Sequence, residues 1–100
     1  MTMFEIIKSS SFERWLLSLK DRGTKVRIQA RVDRLALGNP GDVKIVRGGI
    51  HEMRVDCGPG YRIYYMHKGP LLILLLIGGD KSSQDSDIER AITLANNWQE

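Results

Sequence analysis

Two arginines and a tyrosine, Arg54, Arg62 and Tyr64, lie near one another on either side of a Gly-Pro-Gly turn. Guanidinium groups bind phosphate through paired hydrogen bonds, and an aromatic ring can stack on a nucleobase. If the segments that flank the turn pair as a hairpin, the three side chains share one face of a sheet. Such a face would bind a phosphate beside a stacked base. Salt bridges with Glu52 and Asp56 are an equally good interpretation of the same charges.

Side-chain parity predicts the register of this hairpin. Pairing Cys57 with Tyr61 gathers the apolar side chains of both segments on one face. On the other face, Arg54 then lies opposite Tyr64 and diagonally to Arg62, at a backbone distance of about 7–8 Å. This register predicts an open polar face that carries both arginines.

Three further basic residues are expected near this face. Lys81 follows an apolar run and Gly78-Gly79-Asp80, which predicts a position just beyond the end of a central strand. Lys44 and Arg47 belong to the preceding predicted strand and would extend the basic surface. We therefore expect a surface that binds a polyanion such as RNA.

The histidines and the single cysteine limit which other chemistry, acid–base or metal-based, this chain could perform. His51 and His67 fall opposite each other in the predicted register, on the apolar face, so we expect structural roles rather than general bases. Cys57 alone cannot form an intramolecular disulfide or a cysteine-based zinc site. With two histidines, a metal site would need carboxylates in unusual numbers, and we expect no metal and no other cofactor.

The charge is unevenly distributed along the chain. Of the 15 basic and 12 acidic residues, residues 1–81 hold 14 and eight, so their net charge is +6, against −3 for residues 82–100. A basic body is typical of proteins with an anionic partner, and an uneven solvated surface is the alternative. Arg27, Arg31 and Arg34 form a stripe along a predicted helix, which is either a solvated face or a docking surface.

Apolar periodicity predicts eight elements, with capping boxes at two of the three helix starts. They are a strand at 3–8, helices capped by Ser10 and Thr24, strands at 43–47, 50–57, 61–68 and 71–77, and a helix capped by Ser86. The order β-α-α-β-β-β-β-α predicts one α+β domain over residues 1–100. In it, a helical hairpin packs on one face of a mainly antiparallel sheet. The last strand is apolar throughout, which predicts burial on both faces.

The longest apolar run has seven residues, 71–77, against about 20 for a membrane helix. The first residues show neither a basic segment nor a small-residue cleavage site. These patterns predict a cytoplasmic protein with no membrane association.

Several motifs occur along the chain in the order that is typical of a known protein family. They are Gly60-Tyr61-Arg62-Ile63-Tyr64-Tyr65, the apolar strand with Gly78-Gly79-Asp80-Lys81, His51-Glu52-Met53-Arg54, and Asp87-Ile88 with Ala91 and Trp98. Over essentially its whole length the chain resembles the RelE/ParE superfamily of bacterial type II toxins. Within that superfamily it is most similar to the phage-derived, HigB-like "addiction module killer protein" branch.

The resemblance implies a compact, microbial-RNase-like toxin that cleaves mRNA in the ribosomal A site. Its implied partners are the ribosome, mRNA and a cognate antitoxin, a small helix-turn-helix protein. In the implied reaction, the ribose 2′-hydroxyl attacks the adjacent phosphate without a metal. Arg62 would bind that phosphate, Arg54 would share its charge, and Lys81 would stabilise the transition state or act as general acid. Tyr61 or Tyr64 would stack on a codon base.

The sequence departs from this pattern at its C-terminal end. Several ribonuclease members carry a catalytic tyrosine or histidine there, and nothing after Lys81 supplies one. The group that takes the 2′-hydroxyl proton is therefore left open. Two other functions share the fold: a non-catalytic, ParE-like inhibitor of DNA gyrase, and a module that only binds its antitoxin. The cluster of Arg54, Arg62 and Lys81 favours the nuclease, because a gyrase inhibitor needs no phosphate site.

Overall fold

The alternating and continuous apolar segments form a five-stranded sheet with helices on both faces. The computed structural model describes residues 3–98. Its elements are β1 (Glu5–Lys8), α1 (Ser10–Ser18), α2 (Arg22–Ala36), β2 (Val43–Ile45), β3 (His51–Val55), β4 (Tyr61–Lys68), β5 (Leu72–Asp80) and α3 (Gln84–Asn96). Short 3-10 turns at Arg47–Gly49 and Lys81–Ser83 precede β3 and α3. The predicted α+β class and element order are confirmed.

The strands are ordered β1-β5-β4-β3-β2. β1 pairs with β5 in parallel, and every other pair is antiparallel. β5 therefore lies inside the sheet, and its residues from Ile73 to Gly79 are buried. This confirms the prediction from its apolar sequence, because a strand covered on both faces has no polar side to present.

Each face of the sheet carries its own hydrophobic core. On one face α1 and α2 pack Phe12 and Ile28 against side chains such as Ile63. On the other face α3 packs Ile88 and Ala91 against β4 and β5. Burying a side chain of this size contributes about 1.5–3 kcal/mol. The predicted helical pair on one face is confirmed, and α3 alone covers the second face.

The predicted helix starts are wrong by one to three residues. Ser9, not Ser10, caps α1: its hydroxyl accepts from the Phe12 amide at 3.0 Å and donates to the Leu76 carbonyl at 2.6 Å. Asp21 caps α2 through the Thr24 amide at 3.1 Å, and α3 already begins at Gln84. Capping spacing alone allows neighbouring starts, and a tertiary contact such as that of Ser9 with β5 selects one.

The strand bounds also differ from the predictions. β2 ends at Ile45 because the chain turns into a 3-10 segment, in which Gly48 has a φ of 74°. β5 continues through both glycines to Asp80, because β4 pairs with it as far as Tyr61. Lys81 thus lies immediately after the end of β5, as predicted. Within residues 3–98, no helix combines the length and apolarity that crossing a membrane requires.

Candidate phosphate-binding site

The observed hairpin register places the two arginines directly opposite each other. Arg54 pairs with Arg62, and Glu52 pairs with Tyr64. The predicted register is wrong by two residues, although each side chain keeps its predicted face. The cause is the connection, which is a five-residue loop over 56–60 rather than a tight Gly-Pro-Gly turn. In this loop the Gly60 amide donates to the Cys57 carbonyl at 2.9 Å.

A buried carboxylate lies between the two arginines. Glu52 is completely buried, and its Oε1 atom lies 3.6 Å from the Nε atoms of both Arg54 and Arg62. Its Oε2 atom accepts a hydrogen bond from the Gln84 side chain at 2.7 Å. Like charges opposite each other in a sheet are destabilising, and so is a buried carboxylate without a partner. Glu52 and the arginines offset each other's cost.

Arg54, Arg62 and Lys81 converge on one depression. Its volume is about 320 Å³, and the rest of its lining is Asp42, Val55, Tyr61 and four residues of the 56–60 loop, Asp56 among them. Lys81 is exposed and, within residues 3–98, makes no hydrogen bond or ion pair through its ammonium group. The three basic groups that the sequence predicted to lie together therefore line one concave surface.

Tyr64 is not available to stack on a base. Its side chain is completely buried in the core under α3. Burial, followed by the charges of Glu52 and Asp87, raises the pKa of its hydroxyl. The prediction of Tyr64 as a stacking residue is wrong, because α3 covers this part of the face that the sequence left open. Tyr61 is partly exposed at the depression and is the aromatic ring that a ligand can reach.

Lys44 and Arg47 do not line the depression. Lys44 lies opposite Glu52 on β2, with its ammonium 3.9 Å from Glu52 Oε1. Arg47 belongs to the 3-10 turn and donates to Glu89 of α3 at 2.6 Å. β2 ends before Arg47, so this side chain is directed to the helix rather than to the depression. The prediction that both extend one continuous surface is wrong for Arg47.

Two supporting residues were missed as contributors to the site. Arg31 donates to the carbonyl oxygens of Arg54 at 2.6 Å and Pro40 at 2.8 Å. It therefore holds the end of β3 from α2, and is not part of a solvated stripe. Gln84 anchors Glu52 from the first residue of α3. Neither contact follows from a sequence pattern, because each joins elements that are far apart in the chain.

Gly79 allows a buried carboxylate, that of Asp87, to lie directly against β5. A Cβ atom at Gly79, the β5 partner of Arg62, would lie 1.9 Å from Asp87 Oδ2. Asp87 is buried and accepts a hydrogen bond from the Ser83 hydroxyl at 2.6 Å. The signal that points to this contact is a Gly-Gly pair inside an otherwise apolar strand, where backbone approaches another group closely.

The histidines lie on the opposite face of the sheet, as predicted. His51 pairs with Tyr65 rather than with His67, and its ring stacks on that of Tyr65 at a centroid distance of 4.9 Å. The His67 ring centroid is 5.1 Å from that of His51. Burial, followed by the neighbouring His67, lowers the pKa of His51. Among the residues that the structure describes, no three His, Cys, Asp or Glu side chains converge as a metal site.

Comparison with known proteins identifies a relative of this chain. No family model matches the chain. A protein of Haemophilus influenzae, described as an uncharacterized protein, is 47% identical over 91 residues, which cover 91% of this chain and 92% of that protein. Identity at this level over nearly the whole of both chains indicates common descent.

Proposed function

The chain and the Haemophilus influenzae protein belong to one family, and we propose that this chain is the toxin of a type II toxin–antitoxin system. It inhibits translation by cleaving mRNA on the ribosome, with a RelE-like, microbial-RNase-like domain. The observation that carries the proposal is the convergence of Arg54, Arg62 and Lys81 on one depression. An antitoxin, a small helix-turn-helix protein, holds the activity in check.

The proposed reaction needs positioning and charge neutralisation more than covalent chemistry. The ribose 2′-hydroxyl attacks the adjacent phosphorus, the bond to the 5′ oxygen breaks, and a 2′,3′-cyclic phosphate and a 5′-hydroxyl result. Arg54 and Arg62 neutralise the charge that grows on the phosphate oxygens, at about 1.5–3 kcal/mol for each charge-assisted bond. Water takes the proton that the 2′-hydroxyl loses, and Lys81 donates the proton that the leaving 5′ oxygen requires.

The roles of the remaining groups follow from their positions. Tyr61 stacks on a base beside the phosphate. Glu52 forms ion pairs with the Nε atoms of both arginines, at 3.6 Å each. Arg62 would thus offer its terminal nitrogens to the phosphate, and Arg54 would exchange its 3.7 Å contact with Asp42 for one with the phosphate. A site with so few acid–base groups suits a reaction in which the ribosome orients the mRNA, because orientation alone supplies much of a rate enhancement.

The proposal is tested by inducing the protein in bacteria and following growth and mRNA integrity. Wild type should stop growth, and primer extension should show cuts within codons of a reporter mRNA that carries a ribosome-binding site. The same mRNA without that site should stay intact. Lys81→Ala and Arg62→Ala should abolish cutting, whereas Arg34→Ala, which removes an exposed arginine of α2, should not.

Lys81→Ala is the more decisive of the two substitutions, because within residues 3–98 the exposed Lys81 side chain has no partner whose loss would unfold the protein. Full cutting by a folded Lys81→Ala and a folded Arg62→Ala protein would contradict the phosphate site. Growth arrest with DNA damage and intact mRNA would instead support the ParE-like inhibition of DNA gyrase.

A further inference from the structure

A second polar groove lies where the edge of β5 is not covered by β1. β1 pairs with β5 only as far as Leu75. Beyond that point, Ile77 and Gly78 form the floor of a groove of about 310 Å³ between α1 and α3. Its walls are Ser11, Arg14, Trp15 and Ser18 of α1 and Arg90 of α3. None of these residues belongs to the phosphate site described above.

Two exposed arginines from different helices face this groove. Arg14 and Arg90 are exposed, and within residues 3–98 neither guanidinium makes a hydrogen bond or an ion pair. By contrast, Arg47 is neutralised by Glu89, and Arg54 and Arg62 share Glu52. Two unneutralised guanidinium groups from different helices on one groove attract an anion.

The groove adjoins the phosphate-binding depression through an aromatic pair. Trp15 lines the groove, Tyr61 lines the depression, and their ring centroids lie 6.1 Å apart in an edge-to-face contact. On β5, Gly78 of the groove is followed by Gly79, the strand partner of Arg62. A single-stranded nucleic acid could therefore pass from one anion site to the other across two rings.

We propose that this groove binds a phosphodiester that flanks the one held by Arg54, Arg62 and Lys81. Single-stranded RNA runs from the depression, across Tyr61 and Trp15, to Arg14 and Arg90. The inference rests on the proposed function, because it takes RNA as the ligand of the depression. It adds a binding subsite that contributes affinity and does not take part in bond cleavage.

The groove is less suited to an added peptide strand. Such a strand would need the free backbone edge of β5 at Gly78, but Gly78 is buried. A Cβ atom there would lie 2.2 Å from the Trp15 ring, so the indole rests directly on the strand. Hydroxyl and guanidinium groups around an aromatic ring are the groups that bind sugar–phosphate and bases.

The test compares two lengths of RNA. Fluorescein-labelled 2′-O-methyl oligouridylates of two and eight nucleotides cannot be cleaved, because the nucleophile is blocked, and their binding is followed by anisotropy. The proteins are wild type, the Arg14→Ala/Arg90→Ala double variant, Arg62→Ala, and Arg34→Ala as a matched control. Wild type should bind the octanucleotide about tenfold tighter than the dinucleotide.

The double variant should lose this length-dependent gain and keep its dinucleotide affinity. For the octanucleotide, the slope of log K against log salt should fall by about 1.4, the value for two lost phosphate contacts on a single strand. Arg62→Ala should weaken both lengths, and Arg34→Ala neither. Since Arg14 and Arg90 are exposed and make no pair with any residue that the structure describes, the double variant should melt at the wild-type temperature.

Three outcomes would overturn the groove assignment. They are a double variant that keeps the full length-dependent gain, a double variant that loses affinity equally for both lengths, and octaglutamate that binds wild type at the groove more tightly than RNA does. The last would mark a docking site for an acidic peptide. Failure of the proposed function has a different signature: the groove effect is present while Arg62→Ala changes neither dinucleotide binding nor mRNA cutting.

Discussion

At the scale of single residues, the two interpretations of the charged hairpin prove compatible. Glu52 contacts Arg54 and Arg62 through their Nε atoms, at 3.6 Å each. A guanidinium paired through its Nε atom keeps its terminal nitrogens for another acceptor, which for Arg54 is already Asp42, at 3.7 Å. Both arginines line the depression. The ion pairs are therefore compatible with the proposed phosphate site, in which Glu52 would act through the arginines as a positioning residue.

Glu52→Gln should destabilise the protein far more than the loss of an exposed ion pair. It leaves two opposed arginines without a buried counter-charge, which we expect to cost about 3 kcal/mol or more. The matched control is Glu89→Gln, which breaks the exposed contact with Arg47 and should cost less than about 1 kcal/mol. Urea unfolding measures both. Similar small losses for the two variants would show that Glu52 does not stabilise the arginine pair.

At the scale of elements, β5 connects both sites. Its two glycines let different groups approach opposite faces of one strand, Trp15 at Gly78 and Asp87 at Gly79. α1 and α3 can therefore lie close to the sheet beside the two proposed anion sites. A side chain at either position would separate a helix from β5, so the distance between helix and strand depends on these residues.

Gly79→Ala should destabilise the protein, and Gly23→Ala should not. The new methyl group at Gly79 would overlap the buried Asp87 carboxylate, and overpacking of this kind costs about 1–3 kcal/mol. At Gly23, in the first turn of α2, a Cβ would make an ordinary contact of 3.6 Å with Asp21. There, alanine should stabilise by about 0.4–1 kcal/mol. Thermal unfolding of both variants tests the two predictions. A Gly79→Ala protein as stable as wild type would contradict the close packing of α3.

At the scale of the whole molecule, the stability depends on side chains that join the sheet across strands. The rings of Phe4, His51, Tyr65 and His67 form a continuous aromatic cluster on the α1–α2 face. Burial keeps the pKa of His51 below its ordinary value of 6.5. The unfolded chain therefore binds this proton at a higher pH than the folded protein does.

The free energy of unfolding should consequently fall as the pH drops below 6.5. Stability from neutral His51 is fully present above the pKa of the unfolded chain and is lost as the pH falls toward the lower folded pKa. His51→Gln should flatten this dependence between about pH 8 and 5.5. The lowered pKa values of Asp21 and Asp80 act only near and below 3.8, outside this window. Urea unfolding at several pH values measures how steeply the free energy of unfolding depends on pH. An equal slope in wild type and variant would contradict the assignment of this dependence to His51.

The sequence by itself determined the element order, the burial of β5 on both faces and the face on which each hairpin side chain lies. These properties are local, because the period of apolar residues reports which side of a helix or strand is buried. Arg54 and Arg62 could thus be placed on one face, and His51 on the other. Their placement on faces did not depend on knowing the register.

Only the tertiary structure decided which residues meet. A slip of two residues leaves every side chain on its face, so parity could not distinguish Arg54 opposite Tyr64 from Arg54 opposite Arg62. The burial of Tyr64 depends on where α3 packs, and the contact of Glu52 with Gln84 joins residues 32 positions apart. Such contacts are set by the packing of distant elements, which no local periodicity encodes.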